Sequence, residues 1–494
     1  MAKRTLVITL GQLRAASHAF EPFRKYLLDA LDADLAVCLQ ADDRFDILHP
    51  LYQAARYRWV APPAEDMADA FDTVQTHLGG AQDWRSICDV RGHWIGGVNL
   101  AAQPTVTALL LYLRWFMLNN INAAELCDVY DTFIITRSDF VFTSPHPPIE
   151  LLDPAYLWIP NGEDYGGLTP GVTDRHLVVS SRNLKAAVDL LEPLLLSPQT
   201  MRDAMIHKEW NMEQYFGLHL ARNGLFSQVR RFPYVMFLVR TETDMTRWSA
   251  GSFDQDIGAA IKYPAEYLSA KAFAPLLRDT ADWRLYFHLD ALIGQSRDGW
   301  SAVMNEPLFN EGAERRKTRA MSLFADLFGR VKAQGDLEAW REDAWCRFLV
   351  FALRHVAASH ADAFEDLWVL HETQSARGGC FVALGADPQE TFPTRLLEQY
   401  GWRGHASLEA VAPFDDAAQA GHWPVVDYLS LSSAAAETLQ TPAFERAYVR
   451  RLTVRHDASA DREAIHDRLL LLGFTRKFAL DARQTDFYVK LQPT

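Results

Sequence analysis

The sequence has few features that would assign it to a special class. Its five cysteines (Cys38, Cys88, Cys127, Cys346 and Cys380) fall in no CxxC spacing, which excludes the common zinc and disulfide frameworks and fits a reducing cytoplasm. Basic charge is in deficit: 49 Lys and Arg face 63 Asp and Glu, a formal −14. That balance opposes non-specific binding to nucleic acid or to an anionic membrane surface. No apolar run reaches the roughly 20 residues of a bilayer span; the most hydrophobic stretch, Val106 to Ile121, is interrupted by Arg114. Contact with a membrane, if any, is therefore peripheral or through a partner. The start, MAKRTLVITLGQLR, reads as a first strand rather than a signal peptide. There is no internal repeat and no low-complexity tract beyond Ala434 to Ala436.

What is present is an ordinary globular composition, 49% hydrophobic and 23% charged, in a chain too long for one hydrophobic core. Over 1–263, strands at Thr5–Leu10, Leu35–Leu39, Arg56–Val60, Phe133–Ile135, Leu157–Ile159, His176–Ser180 and Val235–Val239 alternate with helical stretches. This implies βαβ units and a mainly parallel sheet. Over 264–364 apolar residues recur at three- and four-residue intervals, the mark of a helical connector. Over 365–494 strands return in a smaller α/β unit.

Candidate chemistry gathers at strand ends. YDTFIITRSDFVF places Arg137 and Asp139 just past an apolar strand, where ligands of open α/β sheets bind. GQLR after the first strand offers Gly11 and Arg14 to a phosphate or nucleotide. WIPNGEDYGGLTPGVTDRHLVVSS supplies Asp164, two glycines where backbone can approach a ligand, and then Asp174 and Arg175. KEWNMEQYFGLHLARNG starts a helix carrying Glu213. His207 and His219 read as ordinary histidines that could at most add a metal ligand.

The order of these segments resembles GT-A glycosyltransferases of bacterial surface-polysaccharide synthesis, with TRxD as a variant of the DxD metal motif, over roughly residues 4 to 240. The resemblance implies a nucleotide-sugar donor, a glycan or polysaccharide acceptor, and Mn²⁺ or Mg²⁺ held by Asp139. Gly11, Arg14, Arg137, Asp164 and Arg175 then contact the donor. Glu213, with Asp174 as the alternative, takes the acceptor proton. Arg137 replaces the first acid of the motif, so a lone carboxylate must rely on phosphates and waters to complete the metal shell.

The last region resembles FkbM-type SAM-dependent methyltransferases at Gly385-Ala386, Leu397-Glu398, Gly401-Trp402, Gly404 and Glu409, and again at VDYLSLSSAAAETL, AIHDRLLLLGF and FYVKL. Between Pro413 and Val426 there is room for at most one crossover. Ser432 to Ala435 stand where the family carries an acidic turn. The expectation is a truncated, inactive module that binds no SAM and serves in packing, self-association or partner docking. The rival to a glycosyltransferase is a scaffold, or glycan- or partner-binding protein, in which both transferase modules have lost activity.

Overall fold

The computed structural model describes residues 4–13, 15–42, 45–99, 107–161, 171–241, 251–294, 298–361, 363–385, 394–407, 425–456, 461–478 and 485–490. The chain divides into two compact units, one of residues 1–287 and 304–321 and the other of 288–303 and 322–494. Both are α/β, with large, mainly parallel sheets.

In the first unit the long strands are β1 (Thr5–Gly11), β2 (Asp34–Gln40) and β3 (Tyr57–Ala61). After the two-residue β4 (Gly92–His93) come β5 (Thr132–Thr136), β6 (Phe140–Phe142), β7 (Leu157–Pro160) and β8 (Leu177–Ser180). The series ends with β9 (Trp210–Asn211), β10 (Val229–Phe232), β11 (Met236–Arg240), β12 (Phe253–Asp254) and β13 (Ala259–Ile261). β1 (TLVITLG) and β5 (TFIIT) are buried along their whole length, because helices cover both faces of a parallel sheet. The large sheet runs β10-β7-β8-β5-β1-β2-β3, and only β8 is antiparallel to its neighbours.

From β1 the chain steps outward to β2 and β3, then crosses back to place β5 on the other side of β1. This reversal of strand order opens a crevice at the carboxyl ends of β1 and β5. Asp139 lies beside that crevice and directly precedes β6, which belongs to a separate small antiparallel sheet of order β12-β13-β11-β6. Val141, Phe237, Val239, Ala259 and Ile261 form the core of this small sheet with Ala270. Neither β6 nor the β12–β13 hairpin is legible in the sequence: at two or three residues each, they are too short to show a period.

The helix carrying Glu213, Met212–Arg222, starts at a reciprocal cap. Asn211 Oδ1 accepts from Gln214 N at 2.8 Å, and Gln214 Oε1 accepts from Asn211 N at 2.9 Å, satisfying two otherwise orphaned donors. The cap is fixed in space by β9, which pairs with β4 as Gly92↔Trp210 and His93↔Asn211.

In the second unit β14 (Cys380–Leu384), β15 (Arg403–Ser407), β16 (Tyr428–Leu431), β17 (Arg451–Arg455), β18 (Phe474–Lys477) and β19 (Thr485–Lys490) form a sheet of order β15-β14-β16-β17-β19-β18. β19 is antiparallel to both neighbours. Its core joins Val382, Leu384, Leu429, Leu431, Leu452, Val454 and Tyr488.

Gly92 has φ +112°, and a Cβ there would lie 2.2 Å from the Trp210 carbonyl oxygen. Gly92→Ala therefore lowers unfolding stability by at least about 1–2 kcal/mol, from the left-handed backbone alone. Urea unfolding followed by tryptophan fluorescence measures this, and an unchanged midpoint contradicts the assigned pairing.

Candidate functional site

The carboxyl ends of β1 and β5 enclose a small pocket of about 30 Å³, lined by Gly11, Gln12, Leu109, Leu110, Arg137, Ser138 and Asp139. Gly11 adopts φ +127° with open space where a Cβ would stand, so the backbone turns there without a side chain in the way. Ser138 Oγ donates to the Gln12 carbonyl at 2.9 Å, and Gln12 Nε2 donates to Asp42 Oδ2 at 2.7 Å. These bonds tie the turns after β1, β2 and β5 together.

Asp139 is buried at 1% exposure, and its charge is balanced by arginine. Arg137 donates from Nε to Oδ1 and from Nη2 to Oδ2, each at 3.0 Å, the bidentate geometry that a guanidinium favours. Arg240, itself 1% exposed, donates from Nη1 to the same Oδ2. Burial alone would raise the carboxyl's pKa, but the two guanidiniums prevail and hold it well below the usual range.

The small sheet explains how these groups meet. Leu238 pairs with Phe140, and Arg240 with Ala260; Val239 N donates to the Asp139 carbonyl at 3.1 Å, and Lys262 N to that of Leu238 at 2.8 Å. Arg240 and Lys262 are thus delivered beside Asp139 by register. The Lys262 ammonium is pushed down to about 6, first by burial and then by repulsion from Arg137 and Arg240.

A second group of charges adjoins the first. Arg175, two residues before β8, pairs with Glu266 at 3.1 Å and lies 3.9 Å from Glu213, with its guanidinium over the Tyr263 ring at 4.3 Å. Asp174 is held by Arg114, whose Nη2 donates at 3.0 Å both to its carboxylate and to its carbonyl. The Glu213 side chain is 20% exposed. Its pKa is raised, chiefly by desolvation and then by the charge of Asp174.

The structure therefore brings together Gly11, Arg137, Asp139, Asp174, Arg175 and Glu213. Arg14 and Asp164 lie outside the described residues, as do Glu163, Gly166 and Gly167. Arg114, Arg240, Lys262 and Glu266 also belong to this cluster, and no sequence motif marks them as site residues. Arg240 carries the same signal as Arg137, a charge closing an apolar strand, whereas Lys262 depends on a hairpin that the sequence does not announce. His219 is buried and bonded to the Ala186 carbonyl at 2.9 Å.

The donor set does not fit a divalent cation held by Asp139. Both of its oxygens are taken by guanidiniums, and a further positive ion there would be repelled by Arg137, Arg240 and Lys262. Among the described residues no group of three or more His, Cys, Asp or Glu side chains is placed to hold a metal ion. The partners of Asp139 among the described residues are arginines.

No protein-family model and no curated protein matches the chain. Among solved structures, the chain is similar to mouse xyloside xylosyltransferase 1 in its apo form, at 11% identity and a TM-score of 0.28 over 46% of this chain and 84% of that one. No described helix is long and apolar enough to cross a membrane.

Asp139→Asn leaves two buried guanidiniums without their counter-ion and costs about 3–5 kcal/mol at pH 7. Because the native pKa is lowered, this contribution is full above the unfolded value of about 4 and is lost as pH falls through the native one. Urea midpoints of the two proteins should therefore converge in acid. A gap that persists unchanged below the unfolded value contradicts the pairing.

Proposed function

We propose that the first unit is a glycosyltransferase that takes a nucleotide-sugar donor at the β1/β5 crevice and moves the sugar to a glycan acceptor. The observation that carries this reading is the strand-order reversal, which gathers Gly11, Gln12, Arg137 and Ser138 at one crevice with buried cations behind it. The motif order of the sequence supports the same reaction class.

In the proposed reaction the acceptor oxygen bonds to the anomeric carbon, the bond from that carbon to the diphosphate breaks, and the nucleoside diphosphate leaves with the electron pair. The acceptor proton goes to Glu213, the better base of the two candidates: it is partly open and its basicity is raised, whereas Asp174 is bound by Arg114. Charge on the departing diphosphate is met by Arg137, whose side chain is 22% exposed, with Arg240 and Lys262 behind it. The nearby cations Arg114, Arg137, Arg175, Arg240 and Lys262 outnumber the acids Asp139, Asp174, Glu213 and Glu266 by one when Lys262 is protonated. An arriving diphosphate therefore favours the charged form of Lys262. Mg²⁺ or Mn²⁺ arriving with the donor would add to the neutralisation of the diphosphate, and Asp139, bound by Arg137 and Arg240, has no oxygen left to offer it.

For the second unit we propose a shortened methyltransferase-like module without cofactor chemistry. Strand order reverses between β14 and β16, where a ligand crevice would lie. A Cβ at Gly385 would meet Ser432 Oγ at 2.0 Å, so the turn after β14 packs closely on Ser432. Ala386 and Glu409 lie outside the described residues. The second reading of the whole chain, a scaffold without catalysis, is favoured by the engagement of both Asp139 and Asp174 with arginines.

The test supplies the purified chain with a panel of nucleotide sugars, with and without EDTA. The expected result is donor hydrolysis or transfer that survives EDTA and falls at least about a hundredfold in Glu213→Gln, the scale of a general base. Calorimetry at pH 7.5 in buffers of different ionisation enthalpy should show proton uptake on binding nucleoside diphosphate, absent in Lys262→Met. No turnover and no binding with any donor favours the scaffold. Turnover that needs added Mn²⁺ and disappears in a folded Asp139→Asn restores the metal reading.

A further inference from the structure

The first unit contains a much larger concavity, of about 780 Å³, in the range of small-molecule sites. It runs between the helices Met67–Leu78 and Thr107–Ala123 and is bounded by Gln40 and Pro62 at the carboxyl ends of β2 and β3. None of the residues lining the β1/β5 pocket lines this groove, and nothing in the transfer reaction above uses it.

Its floor is aromatic. Tyr112, Trp115 and Phe116 fall at i, i+3 and i+4 of the longer helix and so share one face, yet all three are only half-buried. Tyr112 stacks on Phe116 with ring centres 6.1 Å apart at 14°, and Trp115 lies 5.9 Å from Tyr112 at 31°. The His77 ring meets Trp115 edge-on at 6.1 Å. The rings hold one another in place, so the platform forms without waiting for a ligand. From Tyr112 to Ala123 the helix rises roughly 16 Å, long enough for more than one sugar ring.

Its walls are mixed: Pro62, Pro63, Ala64, Met67 and Val74 are apolar, and Asp69 is the one carboxylate in the lining. Gln40, Asn119 and Asn120 line the groove, and no lysine or arginine does. Asn119 Nδ2 is buried without a hydrogen-bond partner, so an occupant that supplies an acceptor oxygen there satisfies a donor whose isolation costs about 1–3 kcal/mol. The absence of cationic lining disfavours phosphates and anionic lipid headgroups. Flat rings that can take the C–H face of a pyranose, combined with amides that donate and accept, describe one class of ligand.

We propose that this groove binds a neutral oligosaccharide, stacked on Tyr112, Trp115 and Phe116 and hydrogen-bonded through Asn119 and its neighbouring amides. The site stands on its own residues, so it holds whether or not the β1/β5 crevice transfers sugar.

The experiment titrates the full chain with cellohexaose, maltohexaose, xylohexaose and mannohexaose, with hexagalacturonate as the anionic control, by calorimetry and tryptophan fluorescence. At least one neutral hexaose should bind saturably with a dissociation constant of about 1 mM or tighter and perturb the fluorescence. Trp115→Ala and Phe116→Ala should each weaken it at least about tenfold while circular dichroism stays native, and Asn119→Ala, at a half-buried position, provides an independent third variant. Nucleoside diphosphate should not displace the sugar. The proposal is overturned if no neutral hexaose binds at about 10 mM, if hexagalacturonate binds as well as the best of them, or if folded variants at all three positions bind like the parent.

Discussion

Two guanidiniums on one buried carboxylate organise the charged centre of the first unit. Asp139 is the counter-ion that allows Arg137 and Arg240 to sit beside each other and beside Lys262 within the protein. Without it, like charges would face one another at low dielectric, where their repulsion is strongest. Arg137 spans the two environments: it braces Asp139 from the inside while part of its side chain reaches the β1/β5 pocket. A residue fixed in this way presents a positive charge that need not reorganise when an anion arrives, the condition under which electrostatic stabilisation is most effective.

The small antiparallel sheet is what makes this arrangement available. A doubly wound sheet alone provides the crevice, but its strand ends point charges toward solvent. By leaving the large sheet at Asp139 and pairing β6 with β11 and β11 with β13, the chain folds Arg240 and Lys262 behind the crevice. The Met212–Arg222 helix, aimed by the β4–β9 pair and its reciprocal cap, brings Glu213 to the same place from another direction. Three independent elements therefore converge on one cluster, and altering any one of them alters the charge balance for all.

The parts of this picture legible in the sequence were those that depend on local pattern. The strands at Thr5, Leu35, Phe133, Leu157 and Leu177, and the helix holding Glu213, announce themselves by apolar runs and spacing. Arg137 and Asp139 stand out because charges at the end of a fully apolar strand need a partner. What local pattern does not carry is which partner. Asp139 follows a strand buried on both faces, so alternation gives no direction for its side chain, and the carboxylate turned inward to arginine rather than outward to a cation. Arg114 was visible as an interruption in an apolar helix, but its reason, Asp174, lies 60 residues away. Lys262 and Arg240 acquire their role only through the register of strands too short to read.

The central claim is that the β1/β5 crevice accepts a diphosphate through fixed cations. Phosphorus NMR of a nucleoside diphosphate titrated with metal-stripped protein addresses it directly. The account predicts saturable shifts or broadening of both phosphorus resonances, abolished in a folded Arg137→Gln chain. Resonances that stay unperturbed until a divalent metal is added, or that respond equally with glutamine at position 137, contradict it.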